Sequence, residues 1–168
     1  MKNSILRYGS YSSLTLAVLF IIGMVIGDQF GYTPSEVFGY ASMIISLLFV
    51  FIGIKHFRDN ENNGLVSFGK ALLIGVLISL MAALTFGIID LIYITYINPD
   101  FAADYYAHSI EQFRATLSEA EFKVKLAELE SQKDLFMNPL ISFLLMTVTV
   151  FILGFIISLI SSLILQRK

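Results

Sequence analysis

Asp90 lies deep in an apolar run, ALLIGVLISLMAALTFGIIDLIYITYI from Ala71 to Ile97. A carboxylate surrounded by hydrocarbon is costly, and its default chemistry is proton or cation handling. Depth points elsewhere. Counted outward from Ala71, next to Lys70, a helix rising about 1.5 Å per residue carries Asp90 roughly 28 Å, close to the far edge of a bilayer core. There it can reach water or cap a neighbouring helix, so an interfacial structural role is the expectation and a proton or cation pathway the alternative. A second group comprises Lys55, His56, Arg58 and Lys70. Cations beside the ends of apolar runs can hold lipid phosphate, or they can simply fix the side of the membrane on which a segment stays. The simpler reading is preferred. Asp104, His108 and Glu111 fall at i, i+4 and i+7, a face whose carboxylate and imidazole groups suit a divalent metal. One helix rarely completes such a site, and no metal is expected.

Other chemistry lacks its parts. The phosphate loop G-x-x-x-x-G-K-[ST], the dinucleotide fingerprint G-x-G-x-x-G, the zinc motif H-E-x-x-H and the nucleophile elbow G-x-S-x-G are all missing from the sequence. The absence of cysteine removes disulfides, thiol catalysis and thiolate metal sites. No cofactor is expected, and the protein is not expected to be an enzyme.

The elements that position these residues follow from composition. Of the 168 residues, 57% are hydrophobic and 14% charged. A water-facing surface usually needs about 25% charged residues, so a soluble domain is not expected. The net charge of −2 argues against a nucleic-acid partner. Four apolar stretches, about 9–26, 37–54, 71–97 and 140–165, approach or exceed the roughly 20 residues that cross a bilayer as a helix. Although MKNSILR resembles the basic start of a leader, no small-x-small cleavage site follows Ile26, so the first stretch is read as a retained anchor. Lys2 and Arg7, then Lys55, Arg58 and Lys70, then Arg167 and Lys168 flank alternate span ends. This places both termini in the cytoplasm. Tyrosine agrees, with Tyr8 and Tyr11 at the inner rim and Tyr32, Tyr40, Tyr93 and Tyr96 at the outer one.

Small residues recur every fourth position in the third span (Ala71, Gly75, Ser79, Ala83, Gly87). They recur again in the fourth (Gly154, Ser158, Ser162), and the first has Gly23 and Gly27, continuing to Gly31 beyond the membrane. Such faces allow close backbone approach. Packing within the chain is preferred, with a homodimer through these faces as the alternative.

Residues 98–138 form the sizeable polar part and carry four basic against eight acidic residues. Asn98-Pro99 reads as a helix start, and Tyr106, Ile110, Phe113 and Leu117 follow at helical spacing. Ser118 with Glu121 forms a capping box that opens a second helix with a stripe of Phe122, Leu126, Leu129 and Phe136. Asn138-Pro139 ends it. The excess of acid disfavours anionic headgroups; the apolar stripes suit the outer end of the bundle or a protein partner.

The segment Gly53–Leu84, GIKHFRDNENNGLVSFGKALLIGVLISLMAAL, resembles the most recognisable part of a bacterial membrane family known as domain of unknown function 4199. The resemblance rests on G-I-K-x-[FY]-R-D at Gly53–Asp59, the turn Asn62–Gly64, S-F-G-K-A at Ser67–Ala71 and the later Asn98-Pro99-Asp100-Phe101. It implies a four-helix inner-membrane protein without assigned activity, substrate or cofactor, and a role around envelope glycan or lipid-carrier work, since relatives are often encoded near a membrane glycosyltransferase. It brings no catalytic residues.

The expected fold is therefore an all-α integral membrane domain spanning 1–168. It has four transmembrane helices and a two-helix amphipathic insertion between the third and fourth. The expected function is a non-catalytic scaffold or accessory subunit in the bacterial inner membrane, in contact with lipid and with a membrane protein partner through the outer helices. A small-solute or proton carrier using Asp90 is the alternative.

Overall fold

The computed structural model describes residues 1–167, with side chains outside 25–30, 32–33 and 136. The readings that rest on Lys168, on Gly27 and on the side chains of Tyr32 and Phe136 lie outside the described residues. Six α-helices are present among the described residues: α1 Lys2–Phe30, α2 Tyr32–His56, α3 Phe68–Ile92, α4 Phe101–Thr116, α5 Glu119–Phe136 and α6 Pro139–Leu165. Two π-helical turns, Phe57–Glu61 and Tyr93–Ile97, extend α2 and α3. Four of the helical stretches are long and apolar enough to cross a membrane: Lys2–Met24, Pro34–Glu61, Phe68–Ile97 and Pro139–Leu165. The first begins well before Gly9, because Ser4, Ile5 and Tyr8 are buried and give the polar start a packed face. The break between α1 and α2 falls at Gly31, whose φ of 80° and ψ of −177° belong to a region open essentially to glycine.

The chain divides into two compact units. One joins Met1–Gly87 to Met146–Lys168, and the other is Ile88–Leu145. In the first, an apolar core that includes Leu16, Leu47, Val50, Ile54, Ile74 and Ile78 is accompanied by buried hydroxyls and by large apolar side chains on the outside. Leu14, Ile21, Leu48, Leu73, Ile152 and Ile164 are exposed, whereas Ser12, Ser46, Ser79, Ser158 and Ser162 are buried. Hydrocarbon favours this arrangement, since lipid tails solvate leucine but leave a hydroxyl unsatisfied. The hydroxyls find partners inside: Ser12 Oγ donates to the Ser46 carbonyl (2.8 Å), and Thr85 Oγ1 to Ser13 Oγ (3.0 Å). Among the described residues, Thr147 Oγ1 is the buried side-chain oxygen left without a partner.

The small-residue faces of the third and fourth spans meet one another. A Cβ on Gly75 would stand 2.8 Å from Ser158 Cβ, and one on Gly154 would stand 2.5 Å from Ser79 Cβ. Between them the Ser79 and Ser158 hydroxyls approach to 3.3 Å, while each also donates to the carbonyl one turn back. Ala71, Ser79 and Ala83 are fully covered.

The second unit holds the end of α3, helices α4 and α5, and the start of α6. Asn98-Pro99 does not open α4 as the sequence pattern predicts. The Asn98 amide returns to the Tyr93 carbonyl (2.8 Å), closing the π-helical turn, and its carbonyl accepts from the Phe101 amide (3.2 Å). Pro99 and Asp100 are thereby spent on a turn, and α4 starts at Phe101. Helices α4 and α5 are joined by rings and cations: Arg114 over Phe122 (5.3 Å), Lys125 over Phe113 (5.7 Å) and Lys133 over Tyr106 (5.6 Å). Tyr106, Ile110, Phe113, Leu117, Phe122, Leu126 and Leu129 are each half-buried.

The Ser118–Glu121 capping box is formed, with Ser118 Oγ donating to Glu121 Oε2 at 2.6 Å and the Ser118 amide donating at 3.1 Å. Hydrogen bonding from Ser118 holds the Glu121 carboxyl below its usual range. A depressed carboxyl contributes stability that is present above its unfolded pKa and lost as pH falls through the folded one. The α5 N-terminus is thus expected to fray in acid, seen as faster amide exchange at Glu121 and Phe122. Ser118→Ala removes about 1 kcal/mol of local stability and is expected to abolish most of that pH dependence.

Candidate functional site

The best organised polar site is the end of the first unit where α2, its π-helical turn, the loop to α3 and the end of α6 meet. The geometry starts from a local necessity. After Glu61 the chain must reverse, and Asn63 (φ 53°) and Gly64 (φ 80°) take left-handed conformations that asparagine tolerates and glycine adopts freely. The Gly64 amide returns to the Arg58 carbonyl (2.8 Å), and Asn62 Nδ2 donates to the Leu65 carbonyl (2.6 Å). The loop then lies along the last residues of α6. Val66 and Arg167 exchange both backbone hydrogen bonds, at 3.0 and 2.8 Å, as an isolated antiparallel bridge.

Arg58 locks this junction. It is buried, and its Nε and Nη2 donate to Asp59 Oδ1 (2.6 Å) and Oδ2 (3.1 Å) as a two-pronged ion pair. Its Nη1 donates to the Leu165 carbonyl (3.3 Å), which ends α6. One guanidinium therefore satisfies a carboxylate on its own turn and a helix-terminal carbonyl 107 residues away. The flat fork of arginine suits this task and the single ammonium of lysine does not.

The other cations of the cluster are placed differently. His56 faces Ser4 Oγ (Nδ1 at 3.4 Å) and the ring of Tyr8 (centroids 5.3 Å apart). Ser4 Oγ donates to Glu61 Oε1 at 2.7 Å, so α1 is stitched to the π-helical turn. Lys70 lies over the Phe57 ring (5.2 Å), and Lys55 is exposed. No contact joins these four side chains to one another among those that the structure shows for Arg58, His56 and Lys70. Each has its own surroundings: Arg58 ties α2 to the end of α6, His56 faces α1, Lys70 rests on a ring and Lys55 is exposed.

Sequence reasoning passed over Asp59, Glu61, Ser4 and the backbone of Val66 and Leu165. Asp59 had a visible signal, being an acid directly after a cation at a span end. Ser4 and Glu61 had none, since they lie 57 residues apart.

Asp90 belongs to the second unit. It is buried, 6% exposed, and accepts a hydrogen bond from Ser142 Oγ at 2.8 Å. Ser142 lies in the first turn of α6, where Asn138 Oδ1 accepts from the Leu140 amide (3.0 Å) and the Asn138 carbonyl from the Ser142 amide (3.0 Å). The carboxylate is therefore turned onto a helix start rather than out to water. Asp104, His108 and Glu111 do not gather into a metal site, and among the described residues no three His, Asp or Glu side chains do.

No curated protein and no solved structure matches the chain. The family described as "Protein of unknown function (DUF4199)" matches residues 7–167, nearly the whole sequence, with the Arg58 junction and Asp90 inside the match, and the chain belongs to that family.

Proposed function

We propose that this chain is a non-catalytic integral membrane protein that holds a membrane protein partner through α4 and α5. On this reading it crosses the bacterial inner membrane four times with both termini in the cytoplasm. The segment from Asn98 to Asn138 stands on the opposite face, and the partner belongs to an envelope process. The exposure of α4 and α5 carries the reading. No described residue of either helix is buried, although both bear apolar stripes. Two helices of ordinary length held together at a half-covered seam are poorly stabilised alone and gain from a further surface. The cation distribution supports the topology, since Lys2, Arg7, Lys55, Arg58, Lys70 and Arg167 flank alternate span ends.

Affinity purification from the native membrane tests this. Replacing residues 102–137 with a short Gly/Ser linker is expected to remove a stoichiometric partner while membrane insertion persists. Retention of the partner would overturn the role given to α4 and α5.

A carrier reading rests on one observation, the burial of the Asp90 carboxylate within an apolar helical stretch. On the accessory reading, Asp90→Asn retains the bond to Ser142 and leaves partner binding unchanged. On the carrier reading, it abolishes a proton- or solute-driven flux in liposomes. Absence of flux under several gradients would remove the carrier.

A further inference from the structure

Helix α5 carries a second face that α4 does not cover. Ala120, Val124, Ala127, Ser131 and Leu135 recur at three- and four-residue spacing, so they share one side of the helix. All five are exposed, with Val124 at 72% and Leu135 at 53%. The seam residues Phe122, Leu126 and Leu129 point the other way and are half-buried. At its N-terminal end the exposed face opens into a shallow, mostly apolar depression of about 450 Å³ lined by Leu117, Ala120, Glu121, Val124, Lys125 and Glu128.

The charges around the face are sorted. Of the four basic residues between 98 and 138, Arg114, Lys125 and Lys133 sit over the rings of Phe122, Phe113 and Tyr106 along the α4–α5 seam, with Arg114 and Lys133 exposed. Lys125 also bridges to Glu128 (2.8 Å). The exposed face is bordered by Glu121 and Glu128 on one side, where Lys125 pairs with Glu128, and by Glu130 and Asp134 on the other, beside Lys123, so four acids stand against two cations. An apolar stripe edged by acid complements an apolar stripe edged by base. Anionic headgroups are repelled by it. A second copy of the chain would set acidic edge against acidic edge.

Resting on the proposal that α4 and α5 hold a partner, we infer that the Ala120–Leu135 face of α5 is the docking surface and that its occupant is a basic amphipathic helix of another protein. Small residues along the stripe allow that helix to lie close, and the acidic borders set its orientation and speed its capture.

The test places a photoreactive benzophenone side chain at position 124 of the full-length protein in its native membrane, with a control at the exposed apolar position 152. Adducts from 124 are expected to map, by mass spectrometry, to a helical segment of a different protein bearing an excess of Lys and Arg. Glu130→Lys with Asp134→Lys, which touches neither the capping box nor the Lys125–Glu128 bridge, should lower the adduct yield about tenfold. Added salt should lower it as well, with adducts from 152 unchanged as the sign of intact membrane insertion. Adducts with a second copy, with lipid alone, or with a segment lacking basic excess would overturn the inference, as would a yield indifferent to the charge reversal. If a partner still depends on residues 102–137 while 124 yields no adduct, the docking face is wrong and the accessory function survives. If no partner co-purifies at all, both fall.

Discussion

Gly154→Ala is expected to destabilise the protein by about 1–3 kcal/mol, and Gly154→Leu to prevent accumulation of the folded form. The reason is the crossing of α3 and α6. A Cβ at 154 would lie 2.5 Å from Ser79 Cβ and 2.6 Å from Ser79 Oγ, with Leu47 Cδ2 at 3.2 Å. Ser79 cannot swing aside, because its Cβ is fixed to the α3 backbone and its hydroxyl bonds to the Gly75 carbonyl at 2.9 Å. The helices must therefore separate, losing the dispersion contacts that hold apolar helices together when burial from water drives nothing. The same crossing contains its own control. Ser79→Gly removes the obstructing atoms, so Gly154→Ala combined with Ser79→Gly should recover part of the loss. Thermal unfolding of the detergent-solubilised protein reads all three variants. Equal destabilisation by Gly154→Ala in either background would disprove the contact as the cause.

The second large effect is expected at Arg58. Arg58→Met retains much of the side-chain bulk but leaves the Leu165 carbonyl and the Asp59 carboxylate without their donors. Loss of hydrogen bonds made by a buried charged group costs about 1.5–3 kcal/mol. The damage should be local as well as global. Amides of Val66 and Arg167, which pair across the antiparallel bridge, are expected to exchange faster. The loop 62–67 should become open to protease. Arg58→Lys should restore little, since one ammonium cannot serve both carboxylate oxygens and the carbonyl together. Wild-type exchange at Val66 in Arg58→Met would show that the backbone bridge stands without the guanidinium.

Much of the architecture was legible in the sequence. The long apolar runs had to become helices, because a backbone in hydrocarbon can satisfy its hydrogen bonds only internally. The capping box at Ser118 and Glu121 was equally plain, since the groups that cap a helix start lie three residues apart and need no distant partner. Asn138-Pro139 behaved as read for the same reason. Asn98-Pro99 did not, although its residue types are as suggestive. The preceding π-helical turn claimed the Asn98 amide, and such a turn leaves no mark in residue spacing.

The functional residues divide along the same line. Composition and the spacing of small residues told that α3 and α6 each carry a face for close approach. That the two faces meet each other, Gly75 on Ser158 and Gly154 on Ser79, is a matter of register between helices and became visible only with the fold. Lys55, His56, Arg58 and Lys70 were visible as a charged cluster, for which a topology signal was preferred to a phosphate site. The tertiary structure gives three of them distinct contacts: Arg58 with Asp59 and Leu165, His56 with Ser4 and Tyr8, Lys70 with the Phe57 ring. Asp90 was recognisable as a carboxylate in an apolar run, but its bond to Ser142 joins residues 52 positions apart. By itself, then, the sequence determined what short-range physics controls: which segments are helical, where one of them is capped, and which are apolar enough to cross a membrane. Burial and the contact that each charged side chain makes were decided by the packing, because a side chain's surroundings depend on the neighbours that distant parts of the chain bring to it.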